Sequence, residues 1–136
     1  MKRILAAVDG DEAAGRAAHL AHTMAHDLGA TLTLLYVVPP VVVTGPEVPY
    51  SILLDAQRKR GDEVLHHLFD ELHDTQVHTA RVDGTAAEEI VRYADEGDFD
   101  LIVVGNNGKG PVERLLLGSV SDRTVHKCHR PVLVVH

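Results

Sequence analysis

"KRILAAVD" (Lys2 to Asp9) is a run of aliphatic residues closed by an acidic residue and Gly10. It is too short for a core helix and too apolar for a half-solvated strand, so it reads as a strand buried on both faces. "ATLTLLYVV" (Ala30 to Val38) repeats the pattern, and "TQVHTARVDG", "FDLIVVG" and "RPVLVVH" supply three more strands. Between the first two strands, Ala13, Ala17, Ala21, Met24 and Leu28 recur at helical spacing and Gly29 ends the run. A second helix covers Ser51 to His73 with Val64, Leu65, Leu68 and Leu72 as its inner stripe, weakened at Gly61 by about 1 kcal/mol relative to alanine. A third starts at Thr85, where Glu88 stands at capping-box spacing ahead of Ile90, Val91 and Ala94, and a fourth starts near Ser119. Five strands alternating with four helices define an α/β fold: one open parallel sheet covered by helices on both faces.

The chain of 136 residues is 45% hydrophobic, which suits a single domain over 1–136. No apolar run approaches the roughly 18 residues of a membrane span, and the N-terminus turns acidic too early for a secretory leader, so a cytoplasmic protein is expected, with no membrane partner. The lone Cys128 rules out an internal disulfide and any multi-thiolate metal site. A formal net charge of −7 argues against nucleic acid as a partner, since that role needs a basic face. "PPVVVTGPEVP" (Pro39 to Pro49) carries four of the six prolines and reads as a loop, either a lid over a site or an ordinary exposed connection.

In an open parallel sheet, ligands bind beyond the carboxyl ends of the strands. Strand one ends in Ala7-Val8-Asp9-Gly10-Asp11, and strand four ends in Gly105-Asn106-Asn107-Gly108-Lys109-Gly110. Glycines let main-chain amides approach a phosphate, and consecutive amides in a turn form an anion-binding nest. Gly118 and Ser119 add the start of a helix, with its unpaired N–H groups, and Lys109 adds a point charge. The pattern is not a P-loop, because Gly110 rather than a hydroxyl residue follows the lysine. Nor does "DGDEAAG" have the glycine spacing of a dinucleotide fingerprint.

The spacing Gly105-x2-Gly108-x9-Gly118-Ser119 resembles the nucleotide-binding signature of the universal stress protein family, and "ILAAVDG", "TLTLLYVV", "DLIVVG", "LLLGSVSDRTV" and "RPVLVV" resemble its flanks. The resemblance spans essentially the whole chain. It implies strand order 3-2-1-4-5, ATP as ligand, and a regulatory, stress-response role rather than a metabolic one. It places Asp9 near the nucleoside and Ala7 and Val37 at the adenine, Val37 through its backbone. Gly105, Asn107, Gly108 and Lys109 match the first phosphate loop, and Gly118, Ser119, Val120 and Ser121 the second. Asn106 and Asn107 depart from the Ser and the Arg or His common in the family, which removes one cationic or ring contact. Asp11 replaces a usual Ser; it serves equally as a helix cap, or recruits Mg2+ with Asp9. The resemblance also implies a homodimer through the last strand, Pro131 to His136, whose apolar edge invites pairing, and leaves room for a regulatory protein partner.

His19, His22 and His26 share one helical sector opposite the apolar stripe and read as a solvated face; His66, His67 and His73 read likewise. No catalytic residue and no protein metal site is assigned. Three other functions stand beside the regulatory one: slow hydrolysis or transfer of the bound nucleotide, a dimeric scaffold without nucleotide, and a phosphoryl-accepting receiver using Asp83. The receiver lacks a lysine after its fifth strand. The enzyme lacks an evident nucleophile and base, and an arginine among the loop residues.

Overall fold

The computed structural model describes residues 1–43, 45–106 and 119–136. Its elements follow the alternation: β1 (Arg3–Val8), α1 (Glu12–Leu28), β2 (Thr31–Val38), α2 (Tyr50–Leu72), β3 (His78–Asp83), α3 (Ala86–Glu96), β4 (Leu101–Gly105), α4 (Ser119–Lys127) and β5 (Val132–Val135). All strand pairs are parallel and the order is β3-β2-β1-β4-β5. The expected fold is therefore the observed one. Among the described residues no helix is long and apolar enough to cross a membrane.

Alternation along β1 divides the core. Ile4, Ala6 and Val8 join the cluster beneath α1 and α2, whereas Leu5 and the partly buried Ala7 join the one beneath α3 and α4. The central strands are apolar on both faces because both are covered. α1 lies on the sheet through Ala13, Ala14, Ala17, Ala18, Ala21 and Ala25. That face differs from the expected stripe at one end: Leu28 is 51% exposed, and Ala25 makes the last buried contact. Asp11 caps α1 by accepting from the Ala13 amide at 3.3 Å, and Gly29 ends it in the left-handed region at φ 65°.

The inner stripe of α2 is Leu65, Leu68 and Leu72 with Val64 partly buried, as expected. Gly61 has a packing reason, because a Cβ there would lie 2.6 Å from the ring of Tyr36. The Thr85 capping box does not form: Thr85 makes no side-chain cap bond. Glu88 turns instead to Arg123 and Lys127 of α4 and also meets its own amide, and this contact, with the two cations, holds its carboxyl below the usual range.

Candidate functional site

The tips of β1, β2 and β4 enclose a cavity of about 200 Å³ with the first turns of α1, α3 and α4 at its sides. Six residues named from the sequence line it: Ala7, Asp9, Val37, Gly105, Val120 and Ser121. The sequence reading missed Ala14 of α1, Ala86 and Ile90 of α3, and Leu35, Tyr36 and Val104 within the strands. Apart from Tyr36 these are small or aliphatic groups, and the part of all of them in a site follows from strand order, not from any local motif. Ser119 opens α4 and is exposed outside the lining. Asn107, Gly108, Lys109 and Gly118 lie outside the described residues.

Crossover geometry explains the convergence. In the order β2-β1-β4 the connections from β1 and β4 run to opposite faces, so the strand tips part and leave a crevice. The β1–β2 ladder ends at Val8 opposite Tyr36, while β2 continues beside β3 through Val37 and Val38. The main-chain edge of Val37 on the cavity side is thus beyond the β1 ladder.

Polar groups at the rim are oriented by local bonds. The Asp11 amide donates to Asp9 Oδ1 at 2.9 Å, and Asp11 itself caps α1. Ser121 is 1% exposed and its hydroxyl donates to the Gly105 carbonyl at 2.6 Å, fastening the first turn of α4 to the end of β4. A hydroxyl has one proton, so Ser121 offers a ligand its main-chain amide or a lone pair but no second O–H bond. Gly105 has a steric cause of its own: a Cβ there would stand 2.5 Å from the Ala14 nitrogen and 2.6 Å from the Ala13 carbonyl carbon. Lack of a side chain lets β4 meet the first turn of α1.

Pro39 borders the cavity, whereas Val42 and Val43 of the proline-rich segment are exposed, Val42 by 78%. The helix-one histidines are not simply solvated. His22 is half-buried and meets Asp74 at 2.9 Å, and His19 faces Glu71 at 3.8 Å, across the gap to α2 and the loop after it. The His22 hydrogen bond, aided by the Gln76 amide, holds the Asp74 carboxyl below the usual range. His66 and His67 pair along α2 with Asp70 and Glu71. Among the described residues no three His, Cys, Asp or Glu side chains converge as metal ligands. Asp83 sits on the outer strand β3, separated from β1 by β2, and is gripped by Arg58 at 2.5 Å, which lowers its pKa. A receiver acceptor would need to share a pocket with Asp9, and Asp83 is not among the residues lining it.

Comparison with known proteins decides the family. The model of the Universal stress protein family matches residues 1–136. The chain belongs to that family. Universal stress protein MJ0531 of Methanocaldococcus jannaschii is 35% identical over 98% of this chain and 81% of its own length. The structure of universal stress protein UspA from Lactobacillus plantarum has a TM-score of 0.85 at 28% identity, covering 99% of this chain and 97% of that one. A universal stress protein crystallised in complex with cAMP has a TM-score of 0.77 at 26% identity, covering 99% and 97%.

Proposed function

We propose that this universal stress protein is a regulatory nucleotide-binding module that takes ATP with Mg2+ at the carboxyl ends of β1 and β4, its bound state being its output. The cavity carries the reading. It is an apolar slot with one carboxylate at the rim, which suits a flat, apolar purine with a ribose beside Asp9. At about 200 Å³ it is smaller than the roughly 300–1,000 Å³ of sites that enclose whole ligands, so the nucleoside fills it and the phosphates extend beyond. The glycines and Lys109 of 105–110, and the amides of Gly118 to Ser121, are the donors for that tail. The structure in complex with cAMP supports an adenine ligand in the family at comparable identity.

The donor set fits a hard cation. Asp9 lines the cavity with its Oδ1 held by the Asp11 amide, Asp11 follows two residues on as the cap of α1, and Mg2+ typically binds one or two carboxylates together with phosphate oxygens. A bound Mg2+ would neutralise phosphate charge that these carboxylates otherwise repel. Binding rather than turnover is favoured because Asp9 and Tyr36 are the titratable side chains lining the cavity among the described residues, and the Ser121 proton is engaged.

The same reading takes β5 as the dimer edge. The two outer strands differ in protection: β3 carries Arg81 bound to Asp62 at 2.6 Å and Asp83 bound to Arg58, while β5 is four partly buried aliphatic residues. Charged edges resist strand addition and aliphatic ones accept it.

The test is to denature freshly purified protein and identify what it releases, then titrate Mg·ATP into emptied protein by calorimetry. Released ATP, or saturable heat with a raised Tm, supports the module; rapid conversion to ADP supports an enzyme. No heat at millimolar Mg·ATP, an unchanged Tm and no released nucleotide would overturn the reading.

A further inference from the structure

We propose that the face shared by α1 and α2 is a proton-operated latch, in which His22 and His19 of α1 hold the end of α2 and the turn behind it more tightly in mildly acidic solution. Half of the ten histidines stand on these two helices: His19, His22 and His26 on α1, His66 and His67 on α2. None of the five lines the cavity at the strand tips, so the latch is independent of the nucleotide reading. His22 Nε2 meets Asp74 Oδ2 at 2.9 Å, while Asp74 Oδ1 accepts the Gln76 amide at 3.0 Å. One carboxylate thus orders the turn after α2 with one oxygen and ties it to α1 with the other. The His22 side chain is 26% exposed, open to protons from solvent yet only partly screened by water.

A neutral His22 ring gives Asp74 one ordinary hydrogen bond; a charged ring makes that bond charge-assisted and roughly twice as strong. The second contact responds more sharply. His19 Nε2 stands 3.8 Å from Glu71 Oε2, too far for a hydrogen bond, so a neutral ring gains nothing there and a charged one gains an ion pair. His67 meets the same oxygen from α2 at 3.5 Å. Among the other charged groups facing these pairs, His26 adds its own attraction to Asp74. Along the groove between the helices, Asp11, Glu12, Arg60 and Glu63 carry three negative charges to one positive, which also favours the proton. Asp74 stays ionised, its carboxyl held below the usual range by His22 first and by the Gln76 amide second. The folded state, where carboxylates face the rings, takes up these protons in preference to the unfolded one. The contribution is therefore fully present below about pH 6.5, the ordinary imidazole value, fades as pH rises above it, and is lost again when pH falls through the lowered Asp74 value.

The test is thermal melting at pH 6 and pH 8. His22→Gln keeps a donor for Asp74 but takes no charge, so it should melt within about 1 °C of wild type at pH 8 and about 2–4 °C below it at pH 6. Asp74→Asn should show the same gap at pH 6, and the double variant should be no worse than either single one, because the two residues act as a unit. His66→Gln is the control: its pair with Asp70 lies along α2 alone, so its distance from wild type should be the same at both pH values. Easing of the net charge of −7 at pH 6 moves every variant alike, so the gap to wild type, not the slope of wild type, reads the latch. The Val77 amide donates to the Asp74 carbonyl at 3.3 Å, and its protection from hydrogen exchange in wild type should be about threefold greater at pH 6 than at pH 8, but equal at both in His22→Gln. A His22→Gln gap no wider at pH 6 than at pH 8 would overturn the latch and leave His22 a structural contact, as would Val77 protection that rises equally in wild type and variant.

Discussion

Gly105→Ala is the sharpest perturbation the packing offers. The new Cβ would lie 2.5 Å from the Ala14 nitrogen, 2.6 Å from the Ala13 carbonyl carbon and 2.8 Å from the Ala13 oxygen. All three are main-chain atoms, so no rotamer change relieves the clash. Ordinary contact begins near 3.4 Å, so β4 and the first turn of α1 must part by about 0.9 Å. Overpacking of this kind costs about 1–3 kcal/mol, and the rigidity of a capped helix turn puts it at the upper end, near 2–3 kcal/mol. For a chain of this length that is a Tm fall of roughly 6–12 °C. Urea unfolding followed by circular dichroism would measure it, with Gly15→Ala as the control. Gly15 is one helical position beyond Ala14 and nothing lies within 4 Å of its added Cβ, so alanine there should gain about 0.5–1 kcal/mol. Because Ala14 and Gly105 both line the cavity, Gly105→Ala should also weaken nucleotide binding. A Gly105→Ala protein within about 0.5 kcal/mol of wild type would refute the close-approach argument.

Two further outcomes follow from the edges of the fold. The Asp100 carboxylate accepts the Lys2 amide at 2.7 Å and the Arg3 amide at 2.9 Å, contacts that hold its pKa below the usual range. A lowered folded-state pKa contributes stability above the usual carboxylate range that is lost as pH falls through the folded value. Asp100→Ala should therefore melt lower than wild type at pH 7, with the gap narrowing as the pH falls below the ordinary carboxylate range; a gap constant with pH would contradict the assignment. For the β5 edge, wild type should run as a dimer by light scattering, and a chain shortened after Cys128 should be monomeric or insoluble. A well-behaved dimer from the shortened chain would exclude β5 as the contact.

Element order was readable in the residue pattern for physical reasons, sheet order followed from the family resemblance, and six of the residues named from the sequence line the cavity. Buried parallel strands are short aliphatic runs wherever they occur, and a helix on a sheet must repeat its apolar residues near every third or fourth place. What escaped the sequence depended on partners far along the chain. Thr85 and Glu88 have capping-box spacing, yet Glu88 meets Arg123 and Lys127 of α4, contacts that local spacing does not record. Gly61 looked like a weakness in α2 until Tyr36 was seen against it. His22 looked solvated, since the loop carrying Asp74 folds back toward α1 only in three dimensions. Leu28 continues the stripe expected inside, but it is 51% exposed and Ala25 is the last buried residue of α1. Asn106 read as a missing family contact, and its partner lies thirty residues onward.

The alanine face of α1 has a mechanical corollary. Helices usually rest on a sheet through leucine and isoleucine side chains that can change rotamer and act as a cushion, whereas methyl groups have no rotamers to change. Where Ala13 and Ala14 meet β4, the standoff is set by peptide against peptide. That wall of the pocket should behave as a hard stop, and a bulkier guest must find its room on the side of Pro39 and Ala86.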